Sequence, residues 1–333
     1  MKIAFTICSN NYLAQAKILL QSLSNTNADY VLILGLVDKK LESIDYTIKN
    51  TNIIIVEISL LNIPEEYNIF QKYNIIELST AVKASYIKWI KKTYPKVEQI
   101  YYFDPDIKIF SSFKEIEVEL KNKSIVLTPH IYKPIPMDNF IPDETLFLNY
   151  GIYNLGFIGI SFEQLRVYDF LNWWEERLMK QCFINVENGI FVDQLPINYV
   201  TVFYPEITKI LFHDGMNVAP WNLQERQISI KGKEYYANDK KLLFFHFSNI
   251  CFEKGKHPIY NRYELYPMLE ELYDAYRDEL KKNYFFELRK LPCWYKVKPI
   301  KKPVRQRILG IMPQKFREYI KSLVSRKNGF NKY

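Results

Sequence analysis

Two rhythms of apolar positions alternate along the first half of the chain. Nearly continuous apolar runs at residues 2–8, 31–37 and 53–58 have the length and β-branched content of strands, and 53–58 reads as buried on both faces. Between the first two, Leu13, Ala16, Leu19, Leu20 and Leu23 recur at helical spacing, which predicts a helix over 12–24 with one buried face. A second helix is expected over 79–92, with Ser79 as its N-cap. A strand at 99–103 runs straight into Asp104-Pro105-Asp106, where Pro105 ends regular pairing. Further strands at 125–128, 153–160 and 242–247 and a helix at 162–180 complete the pattern of an α/β fold with a largely parallel sheet. Residues 130–149 and 213–241 read as loops, and 263–282 as a late helix. Beyond Pro292, Pro299 and Pro303, residues 315–327 place Phe316, Tyr319, Ile320, Leu323 and Val324 on one helical face opposite lysines and arginines.

Composition narrows the class. The 333 residues are 48% hydrophobic and 25% charged with only 10 glycines, which excludes a disordered or collagen-like chain. The apolar runs fall short of the roughly 20 residues of a membrane-spanning helix. The apolar stretch at the N-terminus is shorter than the roughly 7–15 residues of a secretory signal core, so a cytoplasmic protein is expected. Cys8, Cys182, Cys251 and Cys293 lie far apart with no C-x-x-C pair, as reduced thiols would. Charge divides the chain into an expected catalytic domain over 1–288 and a basic extension over 289–333. The extension holds 14 Lys/Arg against one acid, Glu318, while the rest has 31 basic and 36 acidic residues. A basic stripe confined to an appendage argues against nucleic-acid recognition by the folded body. Its composition is that of an interfacial helix for an anionic membrane surface, or of a contact with the body or with a second copy.

Two carboxylates at the carboxyl end of a strand stand where open α/β sheets bind ligands, and hard oxygen donors suit Mg²⁺ or Mn²⁺. Taken alone, Asp-Pro-Asp is also an ordinary turn. Dinucleotide-binding, P-loop, zinc-protease and serine-hydrolase signatures are absent from the sequence.

Five landmarks occur in order across about residues 1–262. They are Phe5-Thr-Ile-Cys-Ser-Asn-Asn-Tyr12; Lys83 on a helix ahead of the acidic motif; Asp104-Pro-Asp106; Tyr153-Asn-Leu-Gly-Phe157 with Asp193-Gln194; and His246-Phe-Ser-Asn249 followed by Lys-Gly-Lys-His-Pro258. In this order the chain resembles the GT-A-fold glycosyltransferases, in particular the retaining galactosyl/glucosyltransferases that include glycogenin and bacterial lipopolysaccharide galactosyltransferases. The resemblance implies a Rossmann-like mixed sheet flanked by helices, with a helical basic extension. It implies a metal-dependent transfer of a hexose from a nucleotide diphosphate sugar, of the UDP class, to a glycan or lipid-linked acceptor in surface polysaccharide synthesis, with retention.

By the same resemblance Asp104, Asp106 and His246 hold Mn²⁺ or Mg²⁺. Thr6, Cys8, Asn10, Asn11 and Tyr12 surround the nucleoside, and Asn154 and Gly156 adjoin the donor sugar. Asp193 and Gln194 face the reacting carbon, and Lys254 or Lys256 holds the leaving diphosphate. Lys83 stands where the family usually has an arginine on the donor. An inverting relative would need a general base, for which Asp193 or Asp143 is available. Trp173, Trp174 and Trp221 are candidates either for core packing or for stacking on an acceptor sugar. A glycan-binding protein of the same fold, without catalysis, is the other reading.

Overall fold

The computed structural model describes residues 1–232 and 234–295. The chain divides into two units, Met1–Lys296 and Val297–Tyr333. The first is described below; the expected amphipathic helix at 315–327 and the prolines at 299 and 303 lie outside the described residues.

A seven-stranded sheet forms the centre. Its strands are β1 (Lys2–Cys8), β2 (Tyr30–Leu36), β3 (Ile53–Glu57), β4 (Gln99–Phe103), β6 (Ile125–Leu127), β7 (Phe157–Ser161) and β10 (Thr208–Ile210), in the order β10-β6-β7-β4-β1-β2-β3. All neighbouring pairs are parallel except those made by β7, which runs antiparallel to both β4 and β6. Alternation along β1 supplies two cores. Ile3, Phe5 and Ile7 enter one with α4 (Lys83–Thr93) and α7 (Arg166–Gln181), while Ala4 and Cys8 enter the other with α1 (Leu13–Thr26). Because β1 pairs with β2 on one side and β4 on the other, connections diverge there and the carboxyl ends of β1 and β4 border a crevice.

Outside this sheet, β5 (Ile107–Ile109) pairs antiparallel with β14 (Phe244–His246) in a register that sets His246 opposite Ile107. The pair β8 (Ile184–Asn185) and β9 (Ile190–Phe191) follows α7. The remaining helices are α2 (Ile69–Lys72), α3 (Ile75–Ala81), α5 (Lys114–Asn122), α6 (Glu144–Tyr150), α8 (Val200–Phe203), α9 (Glu270–Lys282) and α10 (Phe285–Leu288).

Several expectations shift. The helix expected to start at Ser79 starts earlier: Asn74 accepts from the N–H groups of Ile76 and Glu77 while Glu77 accepts from that of Asn74, a reciprocal cap that fixes α3. Ser79 instead donates to the Ile75 carbonyl inside that helix. The strand expected from 153 begins only at Phe157, because Asn154 accepts from the Gly156 N–H and turns the backbone locally. Strand β3 lies at the sheet edge with Ile54 exposed, not buried on both faces. Residues 213–241, expected as loop, contain a meander of β11 (Ile228–Lys231), β12 (Glu234–Ala237) and β13 (Lys240–Lys241), and 130–149 includes the start of α6. Among the described residues no helix is long and apolar enough to cross a membrane, and Cys8, Cys182 and Cys251 are free thiols.

Asn74→Ala removes the acceptor for two helix-terminal N–H groups and should lower stability by about 1 kcal/mol. Urea denaturation with an unchanged slope checks this; an unaltered midpoint would mean that packing alone holds α3.

Candidate active site

The crevice between β1 and β4 opens into a cavity of about 340 Å³. Its walls come from the end of β1, the turn after it, α3, and the acidic turn after β4: Cys8, Asn11, Tyr12, Thr80, Asp104 and Asp106 are among the lining residues. A larger cleft of about 520 Å³ lies elsewhere, against α1 and β5, and none of the sequence-predicted site residues lines it. Chemistry, not size, identifies the first.

Three potential ligands meet at this cavity. Single donor atoms from Asp104, Asp106 and His246 all lie within 4.8 Å of one another. The β5–β14 pairing creates the cluster, carrying His246 back onto the acidic turn so that its Nε2 is 3.0 Å from Asp106 Oδ1. Burial opposes a charge on the imidazole, but the adjacent Asp106 outweighs it and holds the pKa above its ordinary value. The ring is packed on its other side by Trp221, edge to face at 5.1 Å. Gly156 makes room for it: a Cβ there would come within 2.8 Å of the ring and 2.7 Å of Asn154 Oδ1.

Lys83 joins this cluster to a second one. The residue is 1% exposed, and its ammonium group sits 2.7 Å from Asp193, 3.4 Å from Asp104 and 2.8 Å from the Leu155 carbonyl, over the ring of Tyr102. Burial works against its charge, yet Asp104 and Asp193 together raise its pKa, so it remains cationic. Asp193, equally buried, is pushed above the ordinary carboxylate range by desolvation, against the pull of Lys83. Tyr102 donates to Asp104 at 2.6 Å. Three carboxylates against one ammonium leave two formal negative charges when His246 is neutral, matching one divalent cation. With an O, O, N donor set and a buried His246 Nδ1 that has no hydrogen-bond partner, the residues fit a metal such as Mn²⁺ or Mg²⁺.

The next layer is a carboxamide network. Gln194 accepts from the Leu155 N–H at 3.0 Å and donates to the Tyr150 carbonyl at 2.7 Å, and Asn154 lies 3.4 Å from the same Gln194 oxygen. The Gly156 carbonyl accepts from the Asp104 N–H, tying this turn to the acidic one. Val192, just before Asp193, holds φ 36°, a left-handed conformation that costs a β-branched residue of order 1–3 kcal/mol. Such strain beside a buried carboxylate is typical of functional sites.

The predicted residues therefore separate. Asp104, Asp106, His246, Lys83, Asp193, Gln194, Asn154 and Gly156 form one connected assembly, with Cys8, Asn11 and Tyr12 in the cavity wall. Thr6 is buried in β1 and does not line the cavity. Asn10 is occupied as a clamp: its N–H reaches Asp38, its amide group donates to the Lys39 carbonyl, and its oxygen accepts from Tyr46. Lys254 and Lys256 are exposed and paired with Asp274 and Glu253, both at 2.6 Å, outside the cavity wall. Asp143 caps α6, its Oδ1 accepting from Leu146 N–H and Thr145, and so is not presented as a base. Trp174 is core, whereas Trp221 packs on His246.

His130 was not anticipated. It stands between Asn154, whose Nδ2 is 3.0 Å from its Nε2, and Trp221, 5.5 Å away edge to face. It has no motif around it; only the fold brings it to the site. Asp38 and the α3 residues Ile75, Ile76 and Thr80 were likewise missed.

No protein-family model matches the sequence. Two curated proteins of Bacillus subtilis (strain 168) are similar, both named as uncharacterized: YfnF, 24% identical over 246 residues covering 73% of this chain and 80% of its own length, and YfnD, 23% identical over 248 residues covering 73% and 76%. Among solved structures, the galactosyltransferase LgtC in complex with donor and acceptor sugar analogues superposes with a TM-score of 0.51, covering 85% of this chain and 96% of LgtC at 12% identity. Mouse xyloside xylosyltransferase 1 gives 0.40 at 16% identity over 66% of this chain and 88% of its own.

Burial pushes His130 down to about 3. An unfolded histidine takes up its proton near pH 6.5, so as pH falls from there toward 3 the unfolded chain binds a proton that the native state refuses, and stability drops. At pH 5 the loss is about 2 kcal/mol. His130→Gln, whose amide oxygen can still accept from Asn154, should lose correspondingly less between pH 7.5 and 5; equal losses in urea titrations of the two proteins would refute the assignment. With its mixed sheet and helical flanks shared with LgtC, the chain has the GT-A glycosyltransferase fold.

Proposed function

We propose that this protein is a metal-dependent glycosyltransferase that moves a hexose from a nucleotide diphosphate sugar, of the UDP class, to a glycan or lipid-linked acceptor with retention, in surface polysaccharide synthesis. The observation that carries the reading is the convergence of Asp104, Asp106 and His246 beside a crevice at the carboxyl ends of β1 and β4, with Lys83, Asp193 and Gln194 on its inner side. A divalent ion on the triad would supply electrostatic stabilisation of the departing diphosphate.

In this reading the chain's own groups have distinct tasks. Cys8, Asn11 and Tyr12 bind the nucleoside in the wall of the cavity. Lys83, locked between two carboxylates, positions them instead of reaching the donor as an arginine would. Gln194, held by the Leu155 N–H and the Tyr150 carbonyl, presents a fixed dipole to the sugar, and Asp193 supplies negative charge as the anomeric carbon becomes cationic. The pairing of Asp193 with Lys83 disfavours its use as the base of an inverting reaction. Lys254 or Lys256 would take up the diphosphate only by leaving its present ion pair, as closure of that loop over a bound donor would require.

Asp104→Asn and Asp106→Asn should each lower turnover of a UDP-hexose with Mn²⁺ by about 10²–10³-fold. Gln194→Ala should lower kcat while the nucleotide dissociation constant stays within a few-fold. Turnover close to that of the parent in all three would remove the reading.

The basic extension is proposed to hold the enzyme on an anionic membrane surface on the cytoplasmic side. The full chain should co-sediment with phosphatidylglycerol-containing vesicles in a salt-sensitive way, each cation contributing roughly 1 kcal/mol, and a chain shortened after Lys296 should not. Equal binding by both, or by neither, assigns the extension to packing or self-association.

A further inference from the structure

A second groove, of about 510 Å³, lies on the outer face of the segment that starts at Gln194, between α7, the β8–β9 hairpin and α8. Its wall includes Trp173, Arg177, Gln181, Asn198, Tyr199 and Phe203. The rings of Tyr199 and Phe203, one helical turn apart, stack 5.2 Å from each other and only 10° from parallel, and they are 58% and 43% exposed. Trp173 closes against Phe203 edge to face at 5.7 Å. Folding normally buries such rings; here they are held outward. Arg166 fixes the platform from below, donating to the Phe203 carbonyl at 3.0 Å, and Asn198 is anchored by accepting from the Ile152 N–H at 2.9 Å.

We infer that this groove binds a glycan chain carrying acidic groups, as the extended part of the acceptor; this rests on the transferase reading above. Pyranose rings present flat C–H faces that stack on exposed aromatic rings, while their hydroxyls need polar partners at the edge, which Gln181 and Asn198 offer. Among the described residues lining the groove Arg177 is the only charged one and none is a carboxylate, so a uronate or a sugar phosphate is favoured over a neutral residue. The groove is joined covalently to the catalytic pair: Gln194 caps the 3-10 turn Leu195–Tyr199, whose residues form its wall. Occupancy there would bear directly on the segment that carries Asp193 and Gln194.

Calorimetric titration of the full chain tests this without turnover, using a hyaluronan hexasaccharide and a hexagalacturonate as acidic probes and maltohexaose as the neutral one. The acidic oligosaccharides should bind, and Tyr199→Ala and Phe203→Ala should each weaken them by about tenfold. Arg177→Ala should abolish the preference for acidic over neutral chains. Nucleotide-sugar affinity should be unchanged in all three variants, which shows that they fold and separates a failure here from a failure of the transferase reading. Absence of binding by every probe, or binding indifferent to all three substitutions, overturns the inference. Sedimentation showing that the parent self-associates and Tyr199→Ala does not would identify the groove as a contact between copies and overturn it equally.

Discussion

A buried ammonium group organises this molecule. Lys83, at the start of α4, would be prohibitively costly to desolvate alone, and it persists because Asp193, Asp104 and the Leu155 carbonyl surround it. Those partners come from the acidic turn after β4, the turn before β7 and the strained segment after β9. One charge thus ties the segment after β9 to the acidic turn and to the turn before β7, two segments that the end of the β4–β7 ladder already joins. Replacing Lys83 by an apolar residue would leave Asp193 buried and uncompensated, which in other proteins costs about 3–5 kcal/mol.

A division of labour follows in the electrostatics. Asp104 faces both ways, accepting from Tyr102 and lying near Lys83 on one side while presenting itself to Asp106 and His246 on the other. The inner half of the site is charge-balanced by the protein itself; the outer half is left anionic at the mouth of the crevice. Charge is therefore lowest where the fold is densest and highest where a ligand would arrive, the arrangement expected of a preorganised site.

Six of the seven sheet strands, all but the three-residue β10, and the helix after β1 were legible because burial imposes simple periodicities, as at Leu13, Leu19 and Leu23. The acidic turn was legible because it follows such a strand. What escaped depends on side chains overriding the backbone pattern. The Asn74–Glu77 cap moved a helix start that Ser79 was expected to provide, and Asn154 delayed β7 by bonding to Gly156. The three-strand meander escaped because its contact with the core is small: in β11 and β12 only Ala237 is fully buried, with Ile228 and Tyr235 partly buried against the same cluster. At the site, predicted residues within the five landmarks came together except those whose local environment claimed them: Thr6 by the interior of β1, Asn10 by Asp38 and Tyr46, and the two lysines by surface acids. His130 has neither period nor motif to reveal it, since its neighbours Asn154 and Trp221 are remote in sequence.

The last described residues bear on how this protein can be cut. The backbone N–H of Trp294 is bonded at 2.8 Å to Asp38, the carboxylate that also receives the Asn10 N–H, and the Trp294 ring lies under the Lys39 ammonium at 3.7 Å. Cys293 reaches Asn11 in the cavity wall, and Tyr295 stacks on Phe70 at 4.5 Å. Residues 293–295 thus act as a suture between the loops after β1 and β2 and helix α2. A truncation placed where the charge composition changes, at residue 289, would open that suture and expose a carboxylate that is 2% accessible in the folded chain. Shortened versions intended for crystallisation or assay keep the rim of the crevice between β1 and β4 intact only if they extend through Tyr295.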